Sequence, residues 1–247
     1  MTLLTIIFIN LGISLISFVG VVTFVHKKLQ SDQIMRVMVS FAAGVLLSSA
    51  FFNILGEALH EGKVDDVMLS TLLGIVLGFL MERTLLWYHH HHEDTHNIKT
   101  SAWLVIFGDA IHNFMDGFVV AATAVVSPGL AITTAFAIAA HEIPHELANF
   151  MILVHSGLNR KKAILYNFFS ALTAIVGGIA GYYFIEAFTG ALAPALGFSA
   201  GIFIYIATAD LIPELHEDYK KNRSIYQVLP FFFGITLIYI LSKFLAH

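Results

Sequence analysis

Gly108-Asp109-Ala110-Ile111-His112-Asn113-Phe114-Met115-Asp116-Gly117 and His141-Glu142-Ile143-Pro144-His145-Glu146 lie in two long apolar runs joined by Ser127-Pro128-Gly129. Residues 103–107, 118–126 and 130–140, around and between these groups, carry no charged side chain. On a helix each residue is turned about 100° from the last. His112, Asn113 and Asp116, at i, i+1 and i+4, therefore share a face, with Asp109 beside them. His141, Glu142 and His145 repeat that spacing, and Glu146 and Asn149 extend the face. Asn113 and Ile143 lie 15 residues either side of Pro128. At about 1.5 Å per residue both clusters sit roughly 22 Å below the hairpin tip, near the middle of a bilayer.

A charge at a bilayer centre costs on the order of 3 kcal/mol, so Asp109, Asp116, Glu142 and Glu146 would cost roughly 12 kcal/mol facing lipid. They must face the bundle interior and be protonated, paired or metallated. Three imidazoles, an amide and several carboxylates converging on a point suit a borderline divalent cation such as zinc, and also iron, manganese or cadmium. The plainer alternative is a buried polar network that joins two helices.

Composition sets the class. Of 247 residues, 57% are hydrophobic and only 12% charged, with the charges in short clusters between apolar runs. That pattern implies a single-domain, all-α, polytopic membrane protein, with the lipid bilayer as its first partner. A net charge of −4 gives no sign of nucleic acid. There is no cysteine, so disulfides and thiolate metal sites are excluded, and no phosphate-binding loop of the ATPase type occurs. Residues 1–25 are uncharged, and Lys27 and Lys28 follow the apolar stretch where a signal peptide would place them before it. We read a retained first span that starts outside.

Eight spans are expected, roughly residues 3–25, 35–59, 66–88, 101–126, 130–155, 163–187, 192–215 and 228–245. With both termini outside, every basic residue except Lys63 and Lys243 falls in or beside an inner loop. The positive-inside rule thus supports both the count and the orientation. Asn53 and Glu57 on span two, and Asp210 and Glu214 on span seven, share an i, i+4 spacing, with Gly56 and Pro213 just before the two glutamates. Spans two and seven run in opposite directions, as the copies of an inverted repeat do.

His141-Glu142-x-x-His145 matches the H-E-x-x-H zinc-protease signature, so an intramembrane metalloprotease is the rival reading. Pro144 removes a hydrogen bond to the Ala140 carbonyl and loosens the helix between the two histidines, which suits a moving helix better than a rigid catalytic site. The tract His89, His90, His91, His92 and His96 lies in the expected inner loop 89–100 and is a weak metal contact or a solvated linker. Phe231-Phe232-Phe233 is read as lipid-facing bulk. Gly177, Gly178, Gly181 and Ala171 form a small-residue face for close helix contact, within the chain or in a homodimer.

These residues resemble the ZIP family of divalent-metal transporters, in particular its histidine-rich subfamily. The resemblance runs from span two to span seven. It rests on residues 108–117, on residues 141–146, on the stretch from His155 through Arg160 to Ala174, and on Tyr205-Ile206-Ala207 through Asp210 to Leu215. It implies an eight-helix transporter that moves zinc or a related cation toward the cytoplasm, most naturally across the plasma (inner) membrane, with no organic cofactor. Spans one to three and six to eight would be inverted repeats around spans four and five, a 3+2+3 arrangement. It also implies a two-metal site. His112, Asp116, His141 and His145 would form one position, and Asn113, Asp116, Glu142 and His145 the other. Asp109, Glu146, Asn149, Asn53, Glu57, Asp210 and Glu214 would serve the path. The chain departs from the family pattern at Ala148-Asn149, where Gly-Asp is common. It also has Ser48-Ser49 and Asn53 for Gly-Asp and His, and Gly56 for Pro.

Overall fold

The computed structural model describes residues 3–24, 32–91, 98–188, 190–213, 215–216 and 228–245. Every regular element among them is helical: α1 Leu3–Phe24, α2 Asp32–Ser48, α3 Gly56–Glu61, α4 Val64–His91, α5 Ile98–Val126, α6 Pro128–His155, α7 Arg160–Ala171, α8 Thr173–Ala187, α9 Leu192–Tyr205 and α10 Val228–Leu245. Two π-helical stretches interrupt the pattern, Ser49–Leu55 between α2 and α3 and Ile206–Leu211 after α9.

Five helical stretches are long and apolar enough to cross a membrane: Gln33–Glu61, Val64–Arg83, Val105–Val126, Arg160–Ala187 and Leu192–Ala209. Leu3–Phe18 and Val228–Phe244 are shorter apolar helices. The 28-residue α6 is long enough too, but its His, Glu and Asn side chains dilute its hydropathy. The fold fits a helical membrane protein. Its outward surface agrees: Phe8, Phe107, Leu229 and Phe244 are 64–79% exposed. Phe232 and Phe233 also face outward, whereas Phe231 packs inward against the core. Helix covers part of the expected inner loop, because α4 continues to His91 and α5 begins at Ile98.

Local chemistry sets the helix ends around the centre. Ser127 is extended (φ −157°, ψ 154°), and its hydroxyl accepts from the Leu130 amide at 3.1 Å. Pro128 follows at the first helical position, where its missing N–H costs nothing. Asn159 caps α7 in the same way, accepting from the Lys162 amide at 2.9 Å. Pro144 lies inside α6, which stays helical through it. The α7–α8 junction falls at Leu172, where Thr173 Oγ1 donates to the Ser170 and Ala110 carbonyls, both at 2.6 Å.

In hydrocarbon, burying an apolar side chain gains little, so helices associate through close packing. α5 lies along α8 with backbones in contact. A Cβ added at Gly117 would sit 1.8 Å from the Ala174 carbonyl oxygen, and one at Gly177 would sit 1.8 Å from that of Phe114. α1 packs across α6 and α8, α4 pairs with α9, and α2 pairs with α10. The main core, with Leu46, Ile54, Val119, Ile138, Leu196 and Phe203, fills the space among α2, α5, α6 and α9. Helices α5 and α6 run side by side through the middle of this bundle and carry the polar clusters inward.

Candidate metal centre

His112 and Asp116 stand one turn apart on α5, and His141 and Glu142 are neighbours on α6. Their side chains meet, with one ligand atom from each lying within 4.8 Å of all the others. His112 Nε2 is 3.2 Å from His141 Nε2 and 3.3 Å from Glu142 Oε1. His141 Nε2 is 3.2 Å from Asp116 Oδ2 and 3.6 Å from Glu142 Oε1. His112 Nε2 is 3.9 Å from Asp116 Oδ2. A tetrahedron whose corners lie about 2.0–2.1 Å from a central zinc has edges of roughly 3.3–3.4 Å. Four of these five spacings, at 3.2–3.6 Å, lie close to that edge, and the His112–Asp116 spacing of 3.9 Å is longer.

Second contacts aim the donors. His141 Nδ1 faces the Ala137 carbonyl at 3.2 Å, which places a proton there and turns the Nε2 lone pair to the cluster. Asp116, His141 and Glu142 are each about 1% exposed. All four carboxylate oxygens of Asp116 and Glu142 are buried without a hydrogen-bond partner. Buried carboxylates are stable only when paired or coordinated, and a divalent cation between them and the imidazoles would satisfy all four side chains at once.

A second polar group lies beside the first. Asn113 Nδ2 donates to Asp109 Oδ1 at 3.2 Å and to the Asp109 carbonyl at 3.1 Å, and it approaches Glu146 Oε1 at 3.5 Å. Asn149 Nδ2 donates to Asp109 Oδ1 at 2.9 Å. His145 Nδ1 lies 3.6 Å from Asp109 Oδ1, and its ring stacks on His112 with centroids 4.5 Å apart. Ser170 on α7 donates to Asp109 Oδ2, and Asn167 Nδ2 donates to the Glu146 carbonyl at 2.8 Å. Of the six residues expected to hold metal, four converge, while Asn113 and His145 turn toward Asp109. Ser170 and Asn167 enter the site from α7. They lie in the stretch to Ala174 that carries the family resemblance, but apart from that their sequence signal is a pair of polar side chains, three apart, on one face of an apolar span.

Asn53 sits in the first π stretch, 2% exposed, with neither amide atom hydrogen-bonded. Glu57 is part-buried one turn further on. The side chains of Asp210, His89, His90 and His91, and the whole of Glu214, His92 and His96, lie outside the described residues.

A cavity of about 320 Å³ reaches the centre from one side. Asp109, His112, His145 and Asn149 line one wall, and Gly78, Met81, Glu82, Ile202, Tyr205 and Ile206 line the other. It extends toward the C-terminal half of α4 and the N-terminal half of α5, the ends expected at the inner face.

Fold and centre together define a helical membrane protein with a cation-type ligand shell closed between two central helices and open to a cavity on one side. Comparison with known proteins names the class. The family model described as ZIP Zinc transporter matches residues 88–242, well over half of the sequence, and the chain belongs to that family. Its curated relatives include zinc transporter zipt-7.2 of Caenorhabditis elegans, 36% identical over 153 residues, a match covering 60% of this chain and 33% of that protein. Zinc transporter ZIP10 of Mus musculus is 34% identical over 158 residues, covering 60% and 19%. Metal cation symporter ZIP14 of Bos taurus is 35% identical over 163 residues, covering 61% and 32%. The chain thus spans a third or less of the length of these relatives. Each of these relatives is described as a transporter or symporter of metal.

Proposed function

We infer that this chain carries divalent metal cations, zinc first, across a membrane toward the cytoplasm, by way of the space between α5 and α6. The observation that carries the reading is the four-residue cluster of His112, Asp116, His141 and Glu142 at mid-helix, with buried carboxylate oxygens that face imidazole nitrogens and accept no hydrogen bond. A first cation sits there. A second sits beside it when His145 and Asn113 turn from Asp109 toward Asp116 and Glu142, giving the two-metal site. Mixed imidazole, amide and carboxylate donors hold the ion without caging it, as release requires. Asp109, Glu146 and Asn149 form the next polar step toward the cavity, with Asn53 and Glu57 on the outer part of the path; Asp210 and Glu214 are assigned to the path from the sequence alone.

The eight-span, inverted-repeat arrangement is supported by two regularities. The π stretches begin at Ser49 and Ile206, one in the second expected span and one in the seventh. The packing pairs also exchange under a two-fold: α1 with α6 against α8 with α5, and α2 with α10 against α9 with α4. Alternating access then follows as rocking of one helical group against the other.

Uptake of a panel of divalent ions into proteoliposomes, wild type against Asp116→Ala, tests the reading. Zinc uptake by the wild type and its loss in the variant are expected. Equal uptake in both, or none in the wild type, would count against it.

A further inference from the structure

The cavity beside the metal centre has two unlike walls. On the α5 and α6 wall, Asp109, His112, His145 and Asn149 supply donors. On the α4 and α9 wall the lining is Gly78, Met81, Ile202 and Ile206, except for Glu82 and Tyr205. These two are joined: the Tyr205 hydroxyl donates to Glu82 Oε2. Gly78 makes room for the pair, since a Cβ there would lie 2.6 Å from Cδ1 and 2.7 Å from Cγ of the Tyr205 ring. Asp109 is 3% exposed at the deep end, whereas Glu82 is exposed and stands at the rim.

We propose that Glu82 is a divalent-cation ligand at the mouth of this cavity, taking the ion after it leaves the centre and passing it to water, with Tyr205 as its positioning residue. The proposal rests on the transport reading above. A dication leaving imidazoles and carboxylates must cross a wall that is otherwise hydrocarbon on the α4 and α9 side. A carboxylate there offsets its charge and raises its local concentration. One carboxylate completed by water binds weakly, which a release step needs. The hydrogen bond from Tyr205 occupies Oε2 and leaves Oε1 for the ion. The ring against Gly78 keeps the hydroxyl at that spot.

The test uses the full chain in proteoliposomes, with zinc uptake followed against zinc concentration, and zinc binding by the detergent-solubilised protein measured in parallel. Glu82→Gln should lower the maximal uptake rate about fivefold while the half-saturating zinc concentration moves less than about twofold. Zinc binding at the centre should be unchanged. Glu82→Asp should keep at least half the rate, and Tyr205→Phe should lose about two- to threefold. Wild-type flux in Glu82→Gln overturns the proposal. If His112→Ala is then inactive, only Glu82 falls; if His112→Ala also transports normally, the reading of the centre falls with it. Should Glu82→Gln fail to elute as a single species, Tyr205→Phe decides, and wild-type flux in it overturns the proposal.

Discussion

Asp116→Asn separates metal binding from folding. Both carboxylate oxygens of Asp116 are buried and neither accepts a hydrogen bond, so an isosteric amide breaks none. The change removes one anionic donor 3.2 Å from His141 Nε2 and 3.9 Å from His112 Nε2, in a shell of four. Changes to groups that merely support metal ligands cost about 10–100-fold in affinity, and loss of a charged ligand belongs at the top of that range, about 2.7 kcal/mol. Binding stabilises the folded state by RT ln(1 + [L]/Kd). At a zinc concentration of about 100 times the wild-type Kd, the wild type gains about 2.7 kcal/mol and the variant, with Kd raised about a hundredfold, gains about 0.4 kcal/mol. For a chain of this size each kcal/mol is about 2–4 °C. Zinc should therefore raise the wild-type Tm by about 5–11 °C and that of Asp116→Asn by about 1–2 °C, read by thermal unfolding of the detergent-solubilised protein. An equal zinc-induced rise in both proteins would refute Asp116 as a ligand.

Three further outcomes are expected. Ser170→Ala removes the donor to Asp109 Oδ2 and should cut zinc flux by about two- to fivefold without changing zinc affinity at the centre, checked by uptake and equilibrium binding. Gly117→Ala drives a methyl into the Ala174 carbonyl and forces α5 from α8, which should cost about 1–3 kcal/mol and lower Tm by roughly 2–12 °C without zinc. Acidification, applied equally on both sides, should slow uptake, because His and carboxylate donors bind metal only when deprotonated; apparent affinity should fall by up to about tenfold per pH unit for each proton displaced. Uptake that is flat between pH 7.5 and 5.5 would contradict this.

Much of the centre was legible before any coordinates. The i, i+1, i+4 spacing on each side of Pro128 placed His112, Asp116, His141 and Glu142 on facing stripes at one depth, and they meet. Helical spacing gives direction only to within a part-turn, so it could not say where Asn113 and His145 would point. That is decided by Asp109, which gathers Asn113 and Asn149 and is itself held by Ser170 from α7. A contact 61 residues away in sequence has no local signature. The π stretches likewise left no pattern beyond the helix-weakening Gly56 and Pro213 that follow them. Phe231 reads with its neighbours as lipid-facing, but successive helical residues point about 100° apart, and it is half-buried against the core, with its backbone carbonyl close to Gly44 of α2. Nothing local ties Glu82 to Tyr205, because only the pairing of α4 with α9 brings them together.

X-ray absorption at the zinc edge tests the central claim most directly. The sample is the full chain with His89, His90, His91, His92 and His96 changed to Ala, loaded with one equivalent of zinc. The account predicts two imidazole nitrogens and two carboxylate oxygens at about 2.0–2.2 Å, with one imidazole lost in His141→Ala. A shell of oxygens alone, or a spectrum unchanged by His141→Ala, would contradict it.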